Sequence, residues 1–199
     1  MKKSKKQTVK TIVFMFFFSA ALIALYFFIR TRTNVTKTDP VSSMSEVDKL
    51  LTKDMKENYP SSPREVLKLY SRMTKCFFNE DLNLEQVEKM AVQLRQLFDD
   101  ELLLNNPYDN YILDLNVEIS EYRNANRTIM NYIIDESSSV KYWESDDENY
   151  ASISVSYTVK ENTDYSKVYE NFLLRQDSES RWKIMGWELT GEKETEPDN

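Results

Sequence analysis

The chain has 199 residues, of which 41% are hydrophobic and 30% are charged, a composition that suits one globular domain with short additional segments. It has no histidine, one cysteine and two glycines, which excludes a histidine base, a conventional zinc site, an intrachain disulfide and most glycine-rich phosphate loops. The first 37 residues contain no acid, so the other 162 hold 18 of the 26 basic side chains and all 33 acidic ones, a net charge of −15. Because a domain this acidic is repelled by phosphates, no nucleic-acid partner is expected.

Residues 12–29 form an uncharged apolar segment, IVFMFFFSAALIALYFFI. As a helix it would span about 27 Å, close to the thickness of a bilayer core, which predicts a transmembrane signal anchor with the lipid bilayer as its partner. A cleaved signal peptide is the alternative, with Ser19-Ala20-Ala21 as the cleavage site, but cleavage there would leave an apolar N-terminus. The five lysines in the basic tail, residues 1–11, favour a cytoplasmic N-terminus, so the predicted localisation is the cell membrane, single-pass, with the large domain outside.

A polar linker, a soluble domain and a tail follow the predicted anchor. The linker is residues 30–45, which are rich in Ser and Thr and contain Pro40. The soluble domain is residues 46–190, and the charged residues 191–199 are predicted to be a disordered tail.

Four amphipathic helices are predicted in the first half of the domain, beginning at Ser45, Ser62, Asn83 and Pro107. The second has the clearest start, because Ser62, Pro63 and Glu65 form the pattern of a capping box with proline at the first helical position. The third is expected to continue to Leu102, because apolar residues recur at steps of three and four up to that position.

The second half of the domain is predicted to be β-structure, with strands at residues 128–135, 140–144, 150–160, 167–175 and 181–189. Within the segment 150–160, residues 151–159 alternate strictly between apolar or aromatic residues and Ser or Thr, the pattern of a strand with one buried face. Residues 146–148 and 177–180 are expected to be hairpin turns. Helices followed by a run of strands predict an α+β fold, in which the helices pack on one face of a curved antiparallel sheet of four or five strands.

Several segments resemble an uncharacterised family of bacterial, mostly Gram-positive, single-pass membrane-anchored proteins. They are Asn58-Tyr59-Pro60, Pro63-Arg64-Glu65-Val66, Thr74-Lys75-Cys76-Phe77-Phe78-Asn79, Asp100-Glu101-Leu102-Leu103 with Asn105-Asn106-Pro107, Phe172-Leu173-Leu174-Arg175, Arg181-Trp182-Lys183-Ile184 and Gly186-Trp187. The resemblance covers roughly residues 5–190, and it implies no chemistry because the family has no assigned activity. The last two strands are also similar to the end of a nuclear-transport-factor-like, cystatin-like cone, a fold that does not imply function.

The first candidate site is an aromatic ligand pocket in the strand half, formed by Tyr157, Tyr169, Arg175, Trp182 and Trp187. The alternative is that these aromatic residues only fill the core and rims of the sheet. Residues 144–148 and 99–101 are acidic, but they lack the spacing and the glycine of a calcium loop. No metal and no cofactor is therefore expected.

Acid–base catalysis would have to rely on paired acids such as Glu118 with Glu121, or Glu170 with Glu188. Chance pairs are common among 33 acids, so the chain is not expected to be an enzyme. Cys76 lies beside Phe77 and Phe78 near the end of a helix, and it is expected to be a small buried apolar residue.

The function predicted from the sequence is a membrane-anchored, extracytoplasmic, non-catalytic module that binds a protein partner or an assembly in the cell envelope. The alternative is a receptor for a small apolar or aromatic ligand held in the concave face of the sheet. The sequence does not indicate the oligomeric state. A deep pocket with convergent polar groups would favour the receptor, an exposed apolar patch the protein-binding module, and a buried carboxylate pair in a cleft an enzyme.

Overall fold

The computed structural model describes residues 44–191, which fold into five α-helices and a five-stranded antiparallel sheet. The helices are α1 Glu46–Leu51, α2 Pro63–Asn79, α3 Leu84–Arg95, α4 Asp100–Asn105 and α5 Tyr108–Asn124. The strands are β1 Arg127–Ile134, β2 Lys141–Ser145, β3 Glu148–Glu161, β4 Asp164–Gln176 and β5 Trp182–Thr190. The predicted α+β class, with helices first and antiparallel strands after them, is confirmed.

The predicted basic tail and anchor, almost all of the linker and almost all of the C-terminal tail lie outside the described residues. Within residues 44–191, no helix has both the length and the apolar character needed to cross a membrane.

Side-chain caps fix the start of the two helices that carry most of the core. At α2, Pro63 is the first helical residue and the Ser62 hydroxyl accepts a hydrogen bond from the backbone N–H of Glu65. The reciprocal half of the predicted capping box is not made, because the Glu65 carboxylate lies beside Lys68 instead. The complete capping box is at α3, between Asn83 and Gln86.

The third helix ends at Arg95, so the prediction that it continues to Leu102 is wrong. The backbone carbonyl of Leu97 accepts a hydrogen bond from Ile184 N–H at 2.7 Å, and Asp99 N–H donates to the Ile184 carbonyl at 2.8 Å. Residues 97–99 therefore run parallel to β5 as a short extension of the sheet. Leu97 and Phe98 are buried as predicted, but from an extended segment and not from a helix face.

The strands have the order β1-β3-β4-β5, and β2 also pairs with β3. β3 is long enough, at 14 residues, for β1 to pair with its C-terminal part and β2 with its N-terminal part. The predicted β2–β3 turn is confirmed, with positive φ at both Asp146 and Asp147, as a tight primed turn requires. β-bulges interrupt the pairing at Met130 in β1 and at Met185 in β5, where one strand has an extra residue.

The core lies between the helices and one face of the sheet. The apolar members of the alternating β3 segment are buried, as predicted: Ala151, Ile153, Val155, Tyr157 and Val159. α2 contacts β1, β3 and β5, α4 contacts β5, and α5 contacts β1. Cys76 is buried in this core, which confirms its predicted placement.

Candidate functional site

An open cavity of about 350 Å³ lies between α2, α5 and the helix-facing side of the sheet. Each wall comes from side chains that the local structure places on one face. Tyr70, Thr74 and Phe78 are one turn apart along α2, so they lie on one face of the helix. Val168 and Glu170 are two positions apart in β4, so they lie on the same face of the strand. A second cavity of about 230 Å³ shares Tyr70, Thr74, Phe78, Glu118 and Trp187 with the first, so the two are adjacent.

The cavity has aromatic walls, formed by Tyr70, Phe78, Tyr122, Tyr157 and Trp187. Phe78 and Tyr122 stack, with ring centroids 4.2 Å apart, and the rings of Tyr70 and Trp187 are 5.8 Å apart. Trp187 is 41% exposed although it stacks on the buried Phe172, so its ring lies at the rim between core and solvent.

Three carboxylates also line the cavity: Glu118, Glu121 and Glu170. Burial raises the pKa of Glu170 to about 7. Burial also raises the pKa of Glu118, and the negative charges of Asp114 and Glu121 add to this effect. Within the described part of the chain, no hydrogen bond or ion pair engages the carboxylate of Glu170, and its oxygens keep contact with solvent.

One basic side chain, Arg127, lines the cavity, and it is already paired. Its Nε lies 2.6 Å from Oε2 of Glu161, the residue opposite it in the β1–β3 ladder. The cavity therefore combines aromatic walls with three carboxylates and one arginine, whose closest ion-pair partner is Glu161.

The structure brings only two of the five predicted pocket residues, Tyr157 and Trp187, to this cavity. Trp182 is buried in the core, where its ring lies 5.6 Å from that of Tyr142. Tyr169 precedes Glu170 in β4, so strand alternation places it on the opposite face of the sheet. Arg175 lines a different cavity, which does not share any lining residue with the first.

The cavity beside Arg175 is larger, about 580 Å³, but its charged groups are largely bound to one another. Arg175 contacts Asp99 with two nitrogens, at 2.7 and 3.2 Å, and Glu148 at 3.0 Å. Arg181 is paired with Asp177 at 2.9 Å. Because these groups already have partners, the smaller aromatic cavity is the better candidate for a ligand site.

The structure also separates one of the predicted carboxylate pairs. Glu118 and Glu121 line the cavity together, one turn apart on α5. Glu188 follows Trp187 in β5 and is exposed on the other face of the sheet, away from Glu170. Glu170 instead shares the cavity with the two α5 acids. Within residues 44–191, no group of three or more acidic or cysteine side chains is placed to hold a metal ion.

Glu170 is predicted from the sequence only as half of an acid pair with Glu188, although the sequence contains a signal for its inward position. In β4, the alternating positions 168, 170, 172 and 174 read Val, Glu, Phe and Leu. A single carboxylate within the apolar face of a strand indicates a polar group directed towards the core.

Tyr157 makes a buried hydrogen bond, and removing this bond is expected to lower the free energy of unfolding. Its hydroxyl lies 2.9 Å from the hydroxyl of Ser71, which is fully buried on α2. We expect Tyr157→Phe to lower the free energy of unfolding by about 1–2 kcal/mol in urea denaturation, because the Ser71 hydroxyl would lose this partner. Adding Ser71→Ala is expected to restore most of the loss, and a double variant less stable than Tyr157→Phe would contradict this assignment.

Comparison with known proteins identifies the family of this chain, but that family has no assigned activity. The model of the family described as "Domain of unknown function (DUF6715)" matches residues 1–187. This confirms the prediction that the chain is a member of a family without an assigned activity. A search of curated proteins found no match.

One solved structure with a detectable match is the solution structure of a protein named transfer protein TraH, from the Gram-positive conjugative plasmid pIP501. The sequence identity is 18%, the match covers 67% of this chain and 97% of the plasmid protein, and the TM-score is 0.34. A similarity this low carries no information on the function of the chain.

Proposed function

The chain belongs to the DUF6715 family, whose domain has no assigned function, and we propose that it is a non-catalytic receptor that binds a small ligand with an apolar or aromatic body. The observation that carries the proposal is the open cavity of about 350 Å³ lined by five aromatic side chains. Its volume lies at the low end of the range of roughly 300–1,000 Å³ found for small-molecule sites.

The walls of the cavity are pre-formed, which favours binding. The aromatic side chains come from two helices and from strands of one continuous sheet, and neighbouring rings contact one another along the walls. A site built on such elements loses little conformational entropy when a ligand enters. A ligand that covers the exposed part of Trp187 would also remove apolar surface from water.

The carboxylates in the cavity are better suited to binding than to acid–base catalysis. A catalytic pair needs two environments that separate the pKa values, so that one acid is protonated while the other is ionised. Here burial is the largest cause of the shift for both Glu118 and Glu170, and it raises the pKa of each. The single cysteine is buried and burial raises the pKa of its thiol to about 11, which does not suit a nucleophile.

We further propose that residues 12–29 anchor the chain in the cell membrane, so that the cavity takes its ligand from outside the cytoplasm. The uncharged segment and the basic residues before it support this topology. We also propose a cystatin-like cone for the domain, in which the bulges at Met130 and Met185 bend the sheet around α2.

The test uses the full-length protein in lipid nanodiscs and a panel of matched small aromatic probes: benzylamine, benzyl alcohol and benzoate. Binding is followed by calorimetry and by tryptophan fluorescence, with Trp187→Phe identifying the signal from the rim of the cavity. We expect at least one probe to bind, and we expect Val168→Trp to abolish binding because the larger side chain fills the cavity.

The matched control is Lys167→Trp, which adds the same side chain at the neighbouring position, on the other face of β4. It is expected to keep the affinity of the native chain. Binding that survives Val168→Trp, or no binding of any probe, would contradict the receptor function.

A protein-binding module in the cell envelope is the second candidate function, and the outer side of α5 favours it. Leu113 and Val117 lie one turn apart on this helix and are 66% and 56% exposed. A photo-cross-linking amino acid at position 113 or 117 would give a discrete adduct in intact cells if a partner binds there. The same amino acid at the exposed position Glu85, on α3, is the control, and equal labelling from both surfaces would remove this candidate.

A further inference from the structure

We propose that the ligand of this cavity is a small organic cation, an ammonium group carried on an apolar or aromatic body. The inference rests on the proposed receptor function and adds the charge class of the ligand. It is based on three features of the cavity: its unbalanced charge, the position of one carboxylate and the faces of its aromatic rings.

The carboxylates that line the cavity outnumber its basic side chains by three to one. Three glutamates line it, whereas the guanidinium of Arg127 is held by Glu161 at 2.6 Å. Asp114, from the adjacent cavity, adds a further carboxylate near Glu118. An anionic ligand would therefore be repelled and a cation attracted, more strongly than at a fully solvated surface because Glu118 and Glu170 are partly buried.

The position of Glu170 shows where one of the negative charges of the cavity lies. It lies on the helix-facing side of β4, between the inward positions of Val168 and Phe172, and the carboxylate has no partner among residues 44–191. Burial removes this carboxylate from water only in part, since its oxygens still contact solvent, and an ammonium group would provide both the opposite charge and hydrogen-bond donors. A neutral apolar ligand would bury Glu170 further without supplying either.

The aromatic rings fit the same ligand class. Tyr70 and Trp187 line the cavity in contact with each other, and so do the stacked rings of Phe78 and Tyr122. The guanidinium of Arg127 already lies over the Tyr122 ring, 5.9 Å from its centroid, so Tyr70 and Trp187 are the rings proposed to receive the ligand. The faces of such rings attract ammonium groups electrostatically, most strongly where water is excluded. A bare metal ion fits less well, because within the described residues no three ligating side chains converge on one point.

The experiment compares benzylamine, which is cationic at pH 8, with benzyl alcohol, which is neutral and nearly the same size, and with benzoate, which is anionic. Affinities are measured by calorimetry on the full-length protein in lipid nanodiscs at pH 8. We expect benzylamine to bind at least about ten-fold more tightly than benzyl alcohol, because it adds a charge-assisted hydrogen bond and cation–π contacts. Benzoate is expected not to bind.

The variant Glu170→Gln keeps the size of the side chain and removes its charge. It is expected to weaken benzylamine binding by about ten-fold and to leave benzyl alcohol binding unchanged, because only the cation uses the charge. Glu188→Gln is the matched control on the outer face of the sheet, and neither affinity should change. Glu118→Gln provides a second charge-removing variant within the cavity.

The outcomes separate the two proposals. Equal affinities for benzylamine and benzyl alcohol, both abolished by Val168→Trp, would overturn the inference about charge and leave the receptor function standing. The same holds if Glu170→Gln and Glu118→Gln both bind benzylamine as tightly as the native chain does. If no probe binds, the receptor function and the inference fall together.

Discussion

Replacing Glu170 with glutamine is expected to stabilise the unliganded protein at pH 8 by about 1–3 kcal/mol and to have little effect near pH 4. The reason is that burial raises the pKa of this carboxyl in the folded state to about 7, from 4.5. The folded state therefore holds the proton more tightly than the unfolded state does. The stability that comes from protonated Glu170 is fully present below pH 4.5 and is lost as the pH rises through about 7.

The measurement is urea denaturation of the native chain and the Glu170→Gln variant at pH 4, 6 and 8. The difference in free energy of unfolding between them should grow with pH, because glutamine never ionises. Glu188→Gln, on the exposed outer face, should show no such growth. A Glu170→Gln variant that is less stable than the native chain at pH 8 would show that the carboxylate has a stabilising partner in the folded protein.

Replacing Arg175 with methionine is expected to lower the free energy of unfolding by about 3–5 kcal/mol. Arg175 makes a two-point contact with Asp99, whose side chain is only 6% exposed, and it also contacts Glu148. Removing the guanidinium would leave a buried carboxylate without its cation at the point where residues 97–99 join the sheet. Arg175→Lys is expected to recover little, because a point charge cannot reproduce the fork geometry.

Two variants control for this prediction in the same urea denaturation experiment. Arg181→Met removes a more exposed ion pair with Asp177, and it should cost less than about 1 kcal/mol. Adding Asp99→Asn to Arg175→Met should restore part of the stability, because the buried group is then neutral. Equal losses for Arg175→Met and Arg181→Met would show that burial does not set the strength of these pairs.

Features that depend on local periodicity were predictable from the sequence. The alternating pattern of the β3 segment predicts correctly which face of this strand is buried. Ser62 followed by Pro63 predicts correctly where α2 begins. These patterns are set by residues a few positions apart, so they do not depend on the rest of the fold. The same reasoning failed at Leu97 and Phe98, which continue the helical pattern of α3 but pair with Ile184, far along the chain.

The candidate site could be predicted only in part, because its composition depends on a bulge. Alternation along a regular strand would place Trp182 and Trp187 on opposite faces of the sheet. The extra residue at Met185 reverses the alternation, so Trp182, Ile184 and Trp187 all lie towards the helices. The sequence likewise suggests an acid pair of Glu170 and Glu188, whereas the acids that share the cavity of Glu170 come from α5.

An NMR titration of the Glu170 carboxyl tests most directly whether a cationic ligand binds beside it. The full-length protein, with ¹³C-labelled glutamate carboxyls assigned by comparison with Glu170→Gln, is titrated with and without saturating benzylamine. We expect the pKa of Glu170 to lie near 7 in the free protein and to fall when the cation binds, because the ammonium group stabilises the ionised form. A pKa that stays the same with benzylamine bound would contradict the proposal of a cationic ligand, and so would a pKa near 4.5 in the free protein.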